Sequence, residues 1–422
     1  MFSEVMTMCN NAIPTPAPYI KDFEQLGFGM FVHYGLYSQM NAGEWVFFHS
    51  EDRNMTEYQK LFDTFQCKGM TDIVATAKAA GCKYCCLTTR HHEGFSLYDT
   101  CGLSTYDAPH SPAGRDLIAE FVDECRKADI VPFFYHTTLD WWHPEFENNF
   151  DAYLEYLYKS VEILCTRYGK IGGLWFDGNW SKPDADWQED RLYKMIHHYQ
   201  PEAMVINNTG LHARGELGNI EIDSVTYERG MAEPMDRRGK PKYVAGEMCE
   251  TLCDHWGIAN DVNFKPVKKL IEELCECRKV GANFLLNIGP APDASVPTMQ
   301  KGIMECIGHW MNIYGKAIYN GRPCITYTDK RDFVLKDIND DKTWYLFRFD
   351  MGLKGSENVS LGYKENTANM FTGFANEVSS ITWMDNGEAL EFTQQADKLS
   401  VNFTPFHYGT SLCVRVAEVK LK

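Results

Sequence analysis

Gly172-Gly173-Leu174-Trp175-Phe176-Asp177-Gly178 is a short apolar run that ends in one acid, with a glycine directly behind it. Such a run predicts a buried strand whose C-terminal tip delivers a carboxylate where the chain turns. Two aromatics stand beside that acid, a setting that suits a substrate with hydroxyls and one apolar face. A lone buried acid is as readily structural, so the neighbouring pattern decides. Comparable apolar runs stand at 28–33, 83–88, 130–135, 203–207 and 283–288. Amphipathic stretches lie between them at 71–80, 115–128, 187–199, 265–280 and 299–314. The clearest is 150–168, where Phe150, Tyr153, Leu154, Leu157, Val161, Leu164, Cys165 and Tyr168 share one helical face. Strand and helix alternating over about 300 residues predicts a parallel sheet, and that length suits a (β/α)8, or TIM, barrel. A doubly wound sheet is the rival, but its Gly-rich phosphate turn is absent.

Beyond residue 318 the texture changes to short β-rich segments, at 324–328, 344–348, 359–361, 380–383, 399–403 and 411–416. Turn signals such as Asp385-Asn386-Gly387 separate them. The expected organisation is a barrel over 1–322 and a small antiparallel β-sandwich over 323–422.

The bulk numbers narrow the function. The 422 residues are 44% hydrophobic and 23% charged, ordinary for a chain with a large core. The net charge of −17 argues against a nucleic-acid or anionic-membrane partner and suits a neutral substrate. Fifteen cysteines, an odd count with neighbours such as Cys85-Cys86, do not make a disulfide framework. They read as small buried hydrophobes in a reducing compartment. The first residues lack the long apolar core of a secretory signal, so a cytoplasmic protein is expected. Association of copies into a homo-oligomer stays open.

In a barrel the C-terminal strand ends form the active site. The first strand ends at His33-Tyr34-Gly35, with Glu44-Trp45 in the loop beyond. The second ends at Arg90-His91-His92-Glu93, the third at Tyr135-His136, the fourth at Asp177 and the fifth at Asn207-Asn208. Polar, aromatic and acidic groups thus gather on one rim. His33 also reads as a satisfied core histidine. His91, His92, Glu93, His136, Asp140 and His143 are all metal-ligand types, which makes a metal-dependent hydrolase the competing function. No HxH strand or HExxH helix supports it, and no metal or cofactor is expected. Cys249 and Cys253, at helical spacing, read as core.

Glycoside cleavage needs two carboxyls, one ionised and one protonated. Asp177 is the first candidate. Glu228 and Glu247 are the candidates for the second. Glu247 follows the apolar Tyr243-Val244-Ala245-Gly246, which would keep it protonated, whereas Arg229 beside Glu228 favours the ionised form. On that reading Glu247 is the better proton donor and Glu228 the structural acid.

These residues resemble the α-L-fucosidases of glycoside hydrolase family 29. The resemblance covers roughly 20–320. It rests on Phe28-Gly29-Met30-Phe31-Val32-His33-Tyr34-Gly35, Gly43-Glu44-Trp45, Thr89-Arg90-His91-His92-Glu93-Gly94, Leu139-Asp140-Trp141, Trp175-Phe176-Asp177-Gly178 and Gly281-Ala282-Asn283-Phe284-Leu285-Leu286-Asn287. It implies an exo-acting, retaining, metal-free hydrolase that removes terminal α-L-fucose from glycans. It implies a barrel followed by a β-sandwich. Asp177 matches the family's nucleophile and Glu247 its acid/base. His33, Glu44, Trp45, His91, His92 and Tyr135 match residues that hold fucose, Trp175 matches a pocket wall, and Trp256 is placed near the pocket. The chain departs from the family where Tyr34, Arg90 and Glu93 replace the usual Trp, Lys and Asp. It departs again where Gly246, not a tryptophan, precedes Glu247, which leaves Glu228 as runner-up. A non-catalytic sugar-binding relative is the rival from another class, and would be expected to lose one carboxylate.

Overall fold

The computed structural model describes residues 12–324, 328 and 331–422. Eight parallel strands close into a barrel in chain order. They are β1 (Phe28–Val32), β2 (Tyr84–Arg90), β3 (Val131–Thr137), β4 (Gly173–Asp177), β5 (Met204–Asn207), β6 (Ser224–Glu228), β7 (Ala245–Thr251) and β8 (Asn283–Ile288). The strands are buried on both faces, which is why they read as continuous apolar runs. Phe28, Met30 and Val32 of β1 pack outward with the helices, while Phe31 faces the lumen beside Tyr84, Phe133, Tyr135 and Trp175. Gly29 shares that inner face. A Cβ there would lie 2.4 Å from the Tyr84 ring, so only glycine lets the ring cross the barrel.

Six of the strands match the apolar runs read from the sequence to within two residues at each end. β6 and β7 do not, because their inward positions are polar: Ser224, Thr226 and Glu247 interrupt the hydrophobic signal, yet all are buried. Helices follow β1 to β4 at Thr71–Ala80, Leu117–Lys127, Phe150–Arg167 and Glu189–Tyr199, and follow β7 and β8 at Val267–Lys279 and Thr298–Asn320. After β5 and β6 the chain runs instead through loops, a glycine-containing one at 208–223 and one with glycine and proline at 229–244.

The C-terminal unit begins as the last helix ends, with the short strand Gly321–Pro323. It is a sandwich of one five-stranded and one three-stranded antiparallel sheet. Trp344, Phe371, Phe374, Trp383, Leu399 and Phe403 fill the space between them. Its other face packs on the barrel, where Trp310 Nε1 donates to Val414 O at 2.8 Å. The expected strand at 324–328 lies largely outside the described residues. The one expected at 359–361 is a turn, with Val359 and Leu361 80% and 97% exposed. An apolar pair there has no facing sheet to pack against.

Among the described residues no helix is long and apolar enough to cross a membrane. Among the described residues the cysteines other than Cys324 are free thiols. Cys82, just before β2, and Cys85, on it, are buried although at CxxC spacing.

Candidate active site

A cavity of about 620 Å³ opens at the C-terminal end of the strands, within the roughly 300–1,000 Å³ of small-ligand sites. Its lining includes Phe31, His33, Glu44, Trp45, His91, His92, Tyr135, Trp175, Asp177, Asn208, Glu228 and Trp256. Every site residue expected from the sequence stands on it except Glu247.

Asp177 ends β4 at the edge of the cavity. Gly178 turns the chain away at φ +124°, and a Cβ there would meet Leu139 N at 2.4 Å. The Asp177 carboxylate accepts hydrogen bonds from Tyr135 Oη (3.0 Å), Trp180 Nε1 (2.8 Å) and Asn208 Nδ2 (3.2 Å). His92 Nε2 lies 3.6 Å from its Oδ2. Four neighbours from four places in the chain therefore fix its direction.

Glu228 ends β6 on the same rim. Its Oε2 accepts from Asn208 Nδ2 at 2.8 Å. One amide nitrogen thus touches both carboxyls. Burial pushes the Glu228 carboxyl up to about 7, aided by the charge of Asp177 and opposed by Asn208, Arg229 and Arg214. The Arg229 effect read from the sequence is present, but desolvation outweighs it.

Glu247 is where the sequence expectation and the structure part. β6 and β7 pair with Glu228 beside Cys249, so Glu247 sits one inward-facing layer below the rim. It is 1% exposed, and both its oxygens are taken: Trp175 Nε1 donates to Oε1 at 2.9 Å and Tyr84 Oη to Oε2 at 2.5 Å. Burial raises its carboxyl to about 7, as the apolar stretch predicted, but beneath the cavity floor rather than on its wall.

The three histidines are buried and held neutral. Burial drives His91 down to about 3, and lowers His33 and His92 well below the usual range. Their tautomers follow from their partners. Asn287 donates its Nδ2 to Trp256 O at 2.6 Å, so its Oδ1 faces His33 Nδ1 at 2.7 Å. His33 Nδ1 is then the donor and Nε2 an acceptor. Thr137 Oγ1 donates to Leu139 O and lies 2.7 Å from His92 Nδ1, which makes His92 Nε2 an acceptor too. His91 Nδ1 lies 3.4 Å from Oε2 of Glu93, a buried carboxyl pushed up to about 8 by desolvation.

Glu44 accepts from the backbone amides of Trp256 (3.0 Å) and Gly257 (2.8 Å), which ties the loop after β1 to the loop after β7. Trp45 meets His92 at 5.3 Å and Trp141 at 5.0 Å between ring centroids. Trp256 covers His33 at 5.1 Å. Trp175 lies edge-on to Phe31 and stacks on Tyr135. Acceptors on one side and ring faces on the other suit a small polyol with one apolar surface. Sequence reasoning passed over Trp180 and the bridging role of Asn208. Asn208 follows directly on β5 and Trp180 lies three residues past the end of β4, which was the available signal. Among the described residues no three His, Cys, Asp or Glu side chains gather as a metal cluster.

A family model described as alpha-L-fucosidase matches residues 10–316. Tissue alpha-L-fucosidase of Mus musculus is 28% identical over 347 residues, covering 74% of this chain and 74% of that protein. Tissue alpha-L-fucosidase of Homo sapiens is 25% identical over 415 residues, covering 89% and 83%. The solved structure of alpha-L-fucosidase isoenzyme 1 from Paenibacillus thiaminolyticus superposes with a TM-score of 0.79 at 27% identity, covering 96% of this chain and 99% of that one. An alpha-L-fucosidase from Bacteroides thetaiotaomicron shares the fold at TM-score 0.80 and 23% identity, covering 98% and 96%.

Proposed function

Because the chain belongs to the α-L-fucosidase family, we propose that it is an exo-acting α-L-fucosidase that hydrolyses fucosylated glycans with retention, using Asp177 as nucleophile and Glu228 as acid/base. The observation that carries this reading is the shared Asn208 Nδ2, 3.2 Å from an Asp177 oxygen and 2.8 Å from a Glu228 oxygen. Those two oxygens are separated by no more than the two bonds laid end to end. That is short of the roughly 6.5–9.5 Å that an inverting pair needs to admit a water.

In the first step an Asp177 oxygen bonds to the anomeric carbon and the bond to the aglycone oxygen breaks. Glu228 gives its proton to that oxygen. In the second, Glu228 takes a proton from water, whose oxygen displaces Asp177. Two inversions give net retention. His33 Nε2, His92 Nε2 and Glu44 accept from sugar hydroxyls, and Trp175, Phe31 and Trp256 meet the apolar face. The donor must be protonated to act, so kcat/KM should fall as pH rises through about 7.

The test is Glu228→Ala on two aryl fucosides of unequal leaving ability. Substrates with the poor leaving group should slow by about 10²–10⁴-fold and the activated one far less, since only the former needs the proton. The alkaline limb should flatten. Equal slowing of both substrates would remove Glu228 from the acid/base role.

A further inference from the structure

Glu247 lies in the barrel lumen, and the reaction above does not use it. A carboxyl there is costly, because desolvation opposes its charge and an apolar side chain of similar size would avoid that penalty. Its contacts account for its presence. Oε1 accepts from the indole of Trp175, on β4, and Oε2 from the phenol of Tyr84, on β2. One side chain on β7 thus satisfies two buried donors from two other strands. A buried indole N–H has a strong preference for a partner, and an acceptor on one side of the ring fixes its rotation.

Trp175 then passes that orientation upward. Its ring stacks on Tyr135 at 5.8 Å and 21°, and stands edge-on to Phe31 at 5.1 Å and 63°. Tyr135 in turn donates to Asp177 Oδ2 at 3.0 Å. We infer that Glu247 is a positioning residue: through Trp175 Nε1 it sets the plane of the aromatic floor on which the sugar rests and against which Tyr135 holds the nucleophile. It touches neither substrate nor reacting atoms. The inference rests on Glu228 being the proton donor.

The experiment compares Glu247→Leu and Glu247→Gln on the same two aryl fucosides, with tryptophan emission recorded as fucose is added. Leucine leaves both donors unpartnered. Glu247→Leu should lose about tenfold or more in kcat/KM, chiefly through KM and by the same factor for both leaving groups. Glutamine fills the same volume, accepts from Trp175 through its oxygen and donates to the Tyr84 hydroxyl through its nitrogen. Glu247→Gln should therefore recover most of the loss, with shifted emission. Wild-type kcat and KM in Glu247→Leu would overturn the inference and leave the Glu228 assignment standing. A loss confined to the poor leaving group, in either variant, would overturn both, because Glu247 would then be the donor. If Glu247→Leu fails to fold, Glu247→Gln decides: full kcat on the poor leaving group with altered emission supports positioning, and unaltered emission overturns it.

Discussion

The half of the barrel made by β1 to β4 and the half made by β5 to β8 reach the same closed sheet by different chemistry. In the first, every strand is followed by a helix, and the lumen is filled by Phe31, Tyr84, Phe133, Tyr135 and Trp175. In the second, two strands have no helix behind them. Loops at 208–223 and 229–244 stand in for the missing helices, and a second cavity of about 660 Å³ remains over the outer side of β6, beside Val225 and Tyr227. The lumen there carries Thr226 and Glu247. Asp177, the proposed nucleophile, sits on the apolar half. Glu228 and the outer wall of the pocket, including Leu211 and His212, sit on the loop-rich half. In the proposed reaction Asp177 on the first half attacks the sugar, and Glu228 on the second meets the leaving group. The leaving-group side is the side built from elements that tolerate change.

Asn208 and Asn287 join the halves, and the predictions press on these joints. The largest effect belongs to Asp177→Gly. It should lower kcat by roughly four orders of magnitude with the circular dichroism unchanged, and azide should partly restore cleavage of an activated fucoside. A variant that stays active would mean the apolar half does not hold the nucleophile.

Asn208→Leu comes next, because it cuts the bridge itself. We expect kcat/KM to drop about 10–100-fold, as for loss of a hydrogen bond to a charged group together with an unfilled polar site. The pH profile gives the direction. Asn208 favours the ionised form of Glu228, so without it the carboxyl holds its proton to higher pH and the alkaline limb moves upward. A limb that moves down, or stays, would separate the two carboxyls energetically.

The smallest effect is expected from Asn287→Leu. It removes the oxygen that orients His33 across the β8–β1 seam. Loss of one neutral hydrogen bond, about 1 kcal/mol, corresponds to a fewfold to tenfold weaker binding of L-fucose. The inhibition constant of fucose reads it, and unchanged inhibition would mean that the His33 tautomer is held by its other neighbours.

Much of the apolar half was legible from the chain alone. A strand buried on both faces is a plain apolar run, and an acid or histidine at its end stands out, which is how Asp177, His33, His91, His92 and Tyr135 could be read. The change of texture after residue 318 announced a second unit for the same reason. The strands β6 and β7 were not legible, and so the chain alone could not tell that Glu228 and Glu247 stand at different levels of the barrel. Local sequence set Glu247 behind apolar neighbours and Glu228 beside Arg229, and carried nothing about their depth in the barrel. Glu247 is buried because Tyr84, 163 residues away, and Trp175, 72 residues away, meet it with donors. Glu228 reaches the pocket because the β6–β7 register sets it beside Cys249. Periodicity along a chain reports which face of an element is apolar. Which of two acids meets substrate depends on register between strands and on partners across the lumen, and those exist only once the barrel has closed.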